Sequence, residues 1–185
     1  MRKLNCILLE ATKKEDVASN SQILDQVLSL YYEMIDEMHG KLLFVSQNQK
    51  LLNQIEARKA EGNETLHVIL NESIEDTSLS YVKAGLSNIE RRKALKQYYM
   101  FAECNQPYIQ KQTLLNFLNS FVASERGMGR ITCKGECFGP VVFSEKYVKK
   151  IMAAECGSME EIVKSYEEDC YCYEISNMEE LKRYE

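Results

Sequence analysis

Few of the residue types that carry out catalysis occur in this chain at the spacing a known reaction requires. Its two histidines, His39 and His67, lie far apart in the sequence. The chain contains no G-x-x-x-x-G-K-[ST], G-x-G-x-x-G, H-E-x-x-H or G-x-S-x-G motif. His67 falls in a strand-like run and His39 precedes Gly40 at a helix end, so both are interpreted as structural. No residue is assigned a catalytic role.

The chain contains seven cysteines, an odd number. Zinc sites normally show C-x-x-C pairs or nearby histidines, whereas the closest pairs here are Cys133 with Cys137 and Cys170 with Cys172. Free cysteine is among the most frequently buried residue types. The seven residues are therefore interpreted as reduced, structural thiols of the core, with Cys170 and Cys172 on the same face of a strand.

Net charge and the first residues bear on partners and location. A formal net charge of −5 argues against a general nucleic-acid-binding protein, and the basic run at residues 91–96 is interpreted as a solvated helix end. The apolar run after Lys3 is too short for a signal peptide, and the charged residue Glu10 follows it directly. No run approaches the roughly 20 apolar residues of a membrane span. A cytoplasmic protein without nucleic-acid or membrane partners is expected.

Apolar runs alternate with amphipathic segments along the chain. Residues 4–9 form a short apolar run typical of a strand covered on both faces, and residues 20–38 carry apolar side chains at helical spacing. The same criteria predict strands at 41–46, 66–70, 98–102, 130–134, 139–143 and 170–175, and helices at 48–60, 79–89, 111–123 and 145–154. Ser158 with Glu161 forms a capping box for a further helix, and Asn177 with Glu180 is expected to cap a short terminal helix.

This alternation predicts one α/β domain over residues 1–185, built as a three-layer α/β/α sandwich around a mainly parallel sheet. Ligands of such folds bind beyond the carboxyl ends of the strands. The segments expected to carry chemistry are therefore those after Leu9, Leu70, Ala102 and Ile175.

Four segments, taken in order, resemble motifs of one family. Residues 103–107 (ECNQP) look like the G-D-Q-P motif of the MobA-like NTP transferases, the group that contains molybdenum cofactor cytidylyltransferase. Residues 78–86 (SLSYVKAGL) are similar to its S-L-x-x-G-L segment, and residues 139–144 (GPVVFS) to its G-x-P-V-L-F-S segment. Residues 173–181 (YEISNMEEL) resemble its D-I-D-T-P-E-D-L ending. The ordered set covers roughly residues 4–182.

The resemblance implies a Rossmann-like sheet of the nucleotide-diphospho-sugar transferase type and transfer of a nucleotidyl group to a phosphorylated acceptor such as a pterin. It implies CTP or GTP and Mg²⁺ as ligands, held by backbone N–H groups, a lysine and carboxylates. It also implies a molybdopterin-like ligand and a molybdenum-enzyme partner. Carried over by position, the nucleotide-binding residues are Leu9, Lys13, Lys14, Ser80, Gly85, Asn105 and Gln106, and the metal-ligand positions are Asn105 and Ser176.

The first loop departs from the family pattern. Where the family has L-A-A-G-x-S-x-R-M-G-x-x-K, residues 9–16 read LEATKKED and contain no glycine. Glycine lets the backbone approach phosphate closely, and the three carboxylates of this segment would repel it. Lys13 and Lys14 supply positive charge without rebuilding the backbone cradle.

The expected metal ligands are also changed. Asn105 stands in place of the motif aspartate and Ser176 in place of the second one. Hard cations in such sites depend on carboxylates, so both changes should weaken Mg²⁺ binding. Asp16 and Glu103 are the carboxylates that could substitute.

The four segments that resemble family motifs can also be interpreted as structural turns and caps. Three functions therefore stay open. The first is a degenerate nucleotidyltransferase-like protein that is an accessory factor or binds a nucleotide or cofactor weakly. The second is an active Mg-dependent NTP:molybdopterin nucleotidyltransferase, and the third is a non-catalytic interaction domain. The altered loop and metal positions favour the first.

Overall fold

A computed structural model of the chain describes residues 2–10, 21–59, 65–89, 96–104, 108–155, 157–176 and 181–182. Its strands are β1 (Arg2–Leu9), β2 (Leu42–Ser46), β3 (Leu66–Leu70), β4 (Lys96–Glu103), β5 (Tyr108–Ile109), β6 (Met128–Cys133), β7 (Glu136–Ser144), β8 (Cys170–Glu174) and β9 (Leu181–Lys182). Its α-helices are α1 (Ser21–Met38), α2 (Gln49–Lys59), α3 (Ser78–Ser87), α4 (Lys111–Ser124), α5 (Glu145–Ala153) and α6 (Met159–Ser165).

Seven strands form one open sheet in the order β3-β2-β1-β4-β7-β6-β8. All run in the same direction except β7, which is antiparallel to both of its neighbours. In the centre of the sheet, Leu8 of β1 lies between Phe44 of β2 and Ala102 of β4. The predicted mainly parallel α/β sheet is confirmed.

Helices cover both faces of the sheet because alternate strand residues point to opposite sides. On one face, Leu4, Cys6 and Leu8 of β1 pack in a cluster with side chains from α1, α2 and α4. On the other face, Ile7 and Leu9 pack in a cluster with side chains from α3, α5 and α6. The apolar run of β1 is buried from both sides, which is why it lacks alternation. Among the helices that the structure describes, none could cross a membrane.

The last predicted helix is wrong where it can be compared. Leu181 and Lys182 form β9, which pairs antiparallel with β5 through Ile109↔Leu181 and Tyr108↔Lys182. The expected caps, Asn177 and Glu180, lie outside the described residues. The chain after β8 finds a strand partner in the chain after β4, and this long-range pairing overrides the local capping pattern.

The prediction that all seven cysteines are buried holds for only part of the set, and Cys156 lies outside the described residues. Cys6, Cys104 and Cys133 are buried, whereas Cys137 and Cys172 are exposed. Cys137 lies near the start of β7 and Cys172 lies in β8 at the edge of the sheet, where helix cover is incomplete. The capping box of Ser158 and Glu161 is confirmed, with both of its hydrogen bonds present.

Candidate ligand-binding edge of the sheet

The carboxyl ends of the parallel strands meet at one edge of the sheet, and backbone hydrogen bonds fix the residues just beyond them. Cys104 N–H donates to Leu9 O at 2.9 Å, and Glu10 N–H donates to Val45 O at 3.0 Å. Asn71 N–H donates to Ser46 O at 2.8 Å. The ends of β1, β2, β3 and β4 are thereby held side by side.

A carboxylate occupies the position where β1 ends. The hydroxyl of Ser46, a buried residue, donates to the Glu10 carboxylate and accepts from Asn48 N–H at 2.7 Å. Burial, followed by the negative charges of Glu10 and Glu103, raises the pKa of Cys104 to about 12. The charge of Glu10 therefore acts on neighbouring strand ends, at the place where the family's glycine loop would begin.

The loop between β3 and α3 is held by its own polar groups. Asn71 Nδ2 donates to Ser80 Oγ at 3.0 Å, and Ser80 Oγ in turn donates to Glu75 O at 2.7 Å or Thr77 O at 2.9 Å. Asn71 is 5% exposed and also accepts from Ser73 N–H at 3.2 Å. The Ser80 hydroxyl, predicted to bind nucleotide, is thus engaged within the loop.

The same loop is acidic and contains no lysine or arginine between residues 71 and 77. Tyr81 OH donates to Asp76 Oδ1 at 3.1 Å. Burial, then the hydrogen bond and charge of Asp76, then the charge of Glu10, raise the pKa of Tyr81. The negative charges of Asp76 and Glu10 therefore both act on Tyr81.

Gly85 allows α3 to lie directly on β1. A Cβ atom added there would be 2.7 Å from Ile7 Cγ2, closer than two carbon atoms approach without displacement. Leu9, at the end of the same strand, is 1% exposed. Leu9 and Gly85, two of the predicted nucleotide-binding residues, therefore lie in the packing between β1 and α3.

A cavity of about 230 Å³ lies beside the end of β4. It is bounded by β4, β6, β7 and the beginnings of α3 and α6. Its lining residues are Ser78, Phe101, Glu103, Arg130, Cys137, Phe138, Gly139, Val141, Ser158, Met159, Glu160 and Val163. Burial raises the pKa of Glu103. This cavity combines apolar walls with three charged side chains.

Arg130 lies in β6, and its side chain is 13% exposed. Its Nε–H donates to Cys172 Sγ at 3.4 Å and its Nη2–H donates to Glu167 Oε1 at 3.3 Å. Arg130 is not among the site residues predicted from the sequence. The available signal was one arginine inside a strand that is otherwise apolar or small, because a long cation at such a position needs a partner.

The predicted metal-ligand positions come from strands that are not adjacent. β8 is the third strand beyond β4, which corresponds to roughly 14 Å at the usual strand spacing. Pairing of β5 with β9 brings the segment after β4 beside the segment after β8. Ser176 is exposed just after β8. Lys13, Lys14, Asn105 and Gln106 lie outside the described residues.

Solved structures share this architecture. Rv0371c from Mycobacterium tuberculosis matches with a TM-score of 0.69 at 12% identity, over 95% of this chain and 89% of its own, and it has also been solved in complex with manganese. A 4-diphosphocytidyl-2C-methyl-D-erythritol synthase from Anaerococcus prevotii matches with a TM-score of 0.67 at 10% identity, over 98% and 90% of the two chains.

Molybdopterin-guanine dinucleotide biosynthesis protein A from Archaeoglobus fulgidus matches with a TM-score of 0.56 at 11% identity, over 91% of this chain and 83% of its own. The chain shares the fold of these three solved structures. The sequence itself matches no protein-family model and no curated protein. At such low identity, the likeness concerns the fold of the chain and not its chemistry.

Magnesium does not fit the described part of the edge. Within the described residues, no group of three or more His, Cys, Asp or Glu side chains is placed to hold a metal ion. Glu10 is engaged by Ser46, and Ser176 offers a neutral hydroxyl. A hard cation with several oxygen ligands finds no ready set of carboxylates there.

Proposed function

We propose that this chain is a degenerate nucleotidyltransferase-like protein that does not transfer a nucleotidyl group from a metal-bound triphosphate. It acts as an accessory protein, or it binds a nucleotide or a cofactor weakly. Molybdopterin-like compounds and molybdenum enzymes are the ligand and partner to test first, because one structural neighbour is a molybdopterin-guanine dinucleotide biosynthesis protein. The proposal concerns the carboxyl edge of the sheet, where ligands of open α/β folds bind.

The Glu10 carboxylate carries this proposal. It is held at the end of β1 by Ser46, and burial, Asp76 and Glu10 together raise the pKa of Tyr81 at the beginning of α3. Two like charges 4 Å apart repel by about 1 kcal/mol in water and about 4 kcal/mol near a protein surface. A triphosphate at this edge would meet such repulsion without a glycine-rich backbone cradle to offset it.

One observation favours the active transferase as a second candidate. β5 and β9, which follow Asn105 and Ser176 in the sequence, pair with each other, and those two positions correspond to the family's metal ligands. If the ancestral geometry survives there, restoring the carboxylates should restore magnesium binding.

Thermal unfolding with CTP, GTP and ATP, each with and without Mg²⁺, tests the proposal. The proposed function predicts a small rise in melting temperature that does not depend on Mg²⁺, since ligand binding to the folded state stabilises it. A Mg²⁺-dependent rise would contradict the proposal and support the active transferase. No response to any nucleotide would contradict nucleotide binding and support an interaction domain or a different cofactor.

Asn105→Asp separates a retained pocket from a lost one. This substitution should increase Mg²⁺-dependent nucleotide binding if the position still faces the ligand, because it adds one carboxylate. Asn53→Asp, on an exposed part of α2, adds the same charge elsewhere and serves as the control. Equal titrations for the two variants would remove Asn105 from the proposed site.

A further inference from the structure

The cavity beside β4 has mostly apolar walls formed by residues from several elements. Phe101, Val141, Met159 and Val163 line it, and Phe101 and Met159 are 4% and 1% exposed. Strand alternation places Glu103 on the same sheet face as Phe101. The cavity can therefore surround the apolar body of a small molecule and still offer it a carboxylate.

Two of the three charged groups in the lining already have partners. Glu160 Oε1 lies 2.9 Å from Lys164 Nζ. Arg130 binds Glu167 and Cys172, as described above. These pairs leave little of either charge uncompensated at the cavity.

Glu103 is the exception. In the described parts of the chain, no side chain forms a hydrogen bond or ion pair with its carboxylate, and it lines the cavity. We propose that the cavity binds a small molecule carrying a protonated amine, whose ammonium group pairs with Glu103 while its apolar body contacts Phe101 and Met159. This inference goes beyond the proposed function, since it requires neither a nucleotide nor a metal.

The N-termini of the two helices at the cavity, α3 and α6, do not make it an anion-binding site. A helix N-terminus attracts anions through its free N–H groups, but here three of those groups have acceptors within the protein. Met159 N–H donates to Ser78 Oγ at 3.3 Å, and Glu161 N–H donates to Ser158 Oγ at 3.2 Å. In α3, Ser80 N–H donates to Thr77 Oγ1 at 3.2 Å.

The residues around the cavity carry a net negative charge, as Glu103 does. An adjoining depression shares Arg130, Cys137 and Glu160 with the cavity and adds Glu136, Glu167 and Lys164. The two together contain four carboxylates and two cations, an excess that favours a cationic ligand. The aromatic rings of Phe101 and Phe138 suit an ammonium group, because a cation is attracted to a ring face.

Benzylamine, benzyl alcohol and benzoate are suitable probes because they share one apolar body and differ in charge. The full-length protein would be labelled at its methionine methyl groups, and the Met159 signal assigned with Met159→Leu. Titration followed by NMR gives both the location and the dissociation constant. We expect benzylamine to shift the Met159 signal and to bind about tenfold more tightly than benzyl alcohol, as one charge-assisted hydrogen bond would provide.

Glu103→Gln keeps the shape of the side chain and removes its charge, so it should weaken benzylamine binding by about tenfold. Glu160→Gln makes the same change on the same cavity, at a carboxylate that Lys164 already neutralises. It should change the dissociation constant by less than about twofold, as expected for an exposed pair. If Glu103→Gln fails to fold, the comparison of benzylamine with benzyl alcohol on the unmodified protein still decides.

Three results would overturn the inference. Equal affinity for benzylamine and benzyl alcohol would show that charge plays no part. Tighter binding of benzoate, lost in Arg130→Gln, would identify an anion site. No benzylamine-dependent change at Met159 would exclude the cavity as an amine site. None of these outcomes bears on nucleotide binding, so the two proposals can fail separately.

Discussion

Two regions of the same sheet edge satisfy their polar groups in different ways. We call the residues Glu10, Ser46, Asn71 and Ser80, beside β1, β2 and β3, the closed end. We call the cavity lined by Glu103, Arg130 and Met159, beside β4, β6 and β7, the open end. At the closed end the described side chains bond to one another. At the open end Glu103 lines a cavity, and its carboxylate has no partner among the residues that the structure describes.

This difference indicates at which end a ligand can form new favourable interactions. A ligand at the closed end must displace hydrogen bonds that already exist and approach a fixed carboxylate. A ligand at the open end can supply a partner that a half-buried group lacks, and burying a polar group without a partner is costly. A shared fold therefore does not require the ligand to lie at the same place as in the solved structures.

Gly85→Val should have the largest effect on the free energy of unfolding. It tests whether a residue without a side chain is needed where α3 packs on β1. The added side chain would collide with Ile7, and overpacking of this kind lowers the free energy of unfolding by about 3 kcal/mol. Ser87→Val, on an exposed part of the same helix, controls for helix propensity. Chemical denaturation measures both. A loss at Gly85 no larger than at Ser87 would contradict the close approach.

Asn71→Ala should be next, since it removes the hydrogen bonds to Ser80 and Ser73 at the closed end. Leaving buried partners unsatisfied lowers the free energy of unfolding by about 1 to 3 kcal/mol. Asn53→Ala removes an exposed hydrogen bond to Gln49 and should change it by less than about 0.5 kcal/mol. Similar values for the two variants in urea unfolding would mean that the closed end is not held by these bonds.

Asp169 provides the paired counterpart of Glu103. Burial acts to raise its pKa, but hydrogen bonds from Lys146, Tyr147 and Gly127 outweigh burial, and the pKa of Asp169 is lowered. A lowered pKa in the folded state contributes stability above the ordinary aspartate pKa, and this contribution is lost as pH falls through the folded-state pKa.

Asp169→Asn should therefore lower the free energy of unfolding at neutral pH, by about 1 to 2 kcal/mol for hydrogen bonds to a charged group. The deficit relative to the unmodified protein should shrink as the pH falls below the ordinary aspartate range. Unfolding midpoints measured across acidic and neutral pH check this. A deficit that stays constant with pH would show that the Asp169 charge is not the source.

Glu103→Gln should have the smallest effect and the opposite sign. An unpaired carboxylate pays a desolvation cost that a neutral amide largely avoids, so the free energy of unfolding should stay constant or rise by less than about 1 kcal/mol. A clear loss in urea unfolding would reveal a partner for Glu103 and would remove the distinction between the two ends.

Most of the fold could be predicted from local patterns, whereas most of the edge could not. Apolar runs such as Leu4–Leu9 and the capping box at Ser158 can be recognised from neighbouring residues alone. β5 and β9 have two residues each, too few for a periodic pattern, and they form by pairing across the chain. The Ser46–Glu10 hydrogen bond joins residues 36 positions apart, and the cavity depends on how α6 lies over β6 and β7.

We expect phosphate groups to add no binding affinity at the carboxyl edge of the sheet. This can be measured by calorimetric titration of cytidine, CMP and CTP, and of guanosine, GMP and GTP, each with and without Mg²⁺. Affinity should not rise from nucleoside to triphosphate, and Mg²⁺ should make no difference. A magnesium complex of CTP or GTP that binds at least about tenfold more tightly than its nucleoside would contradict this expectation.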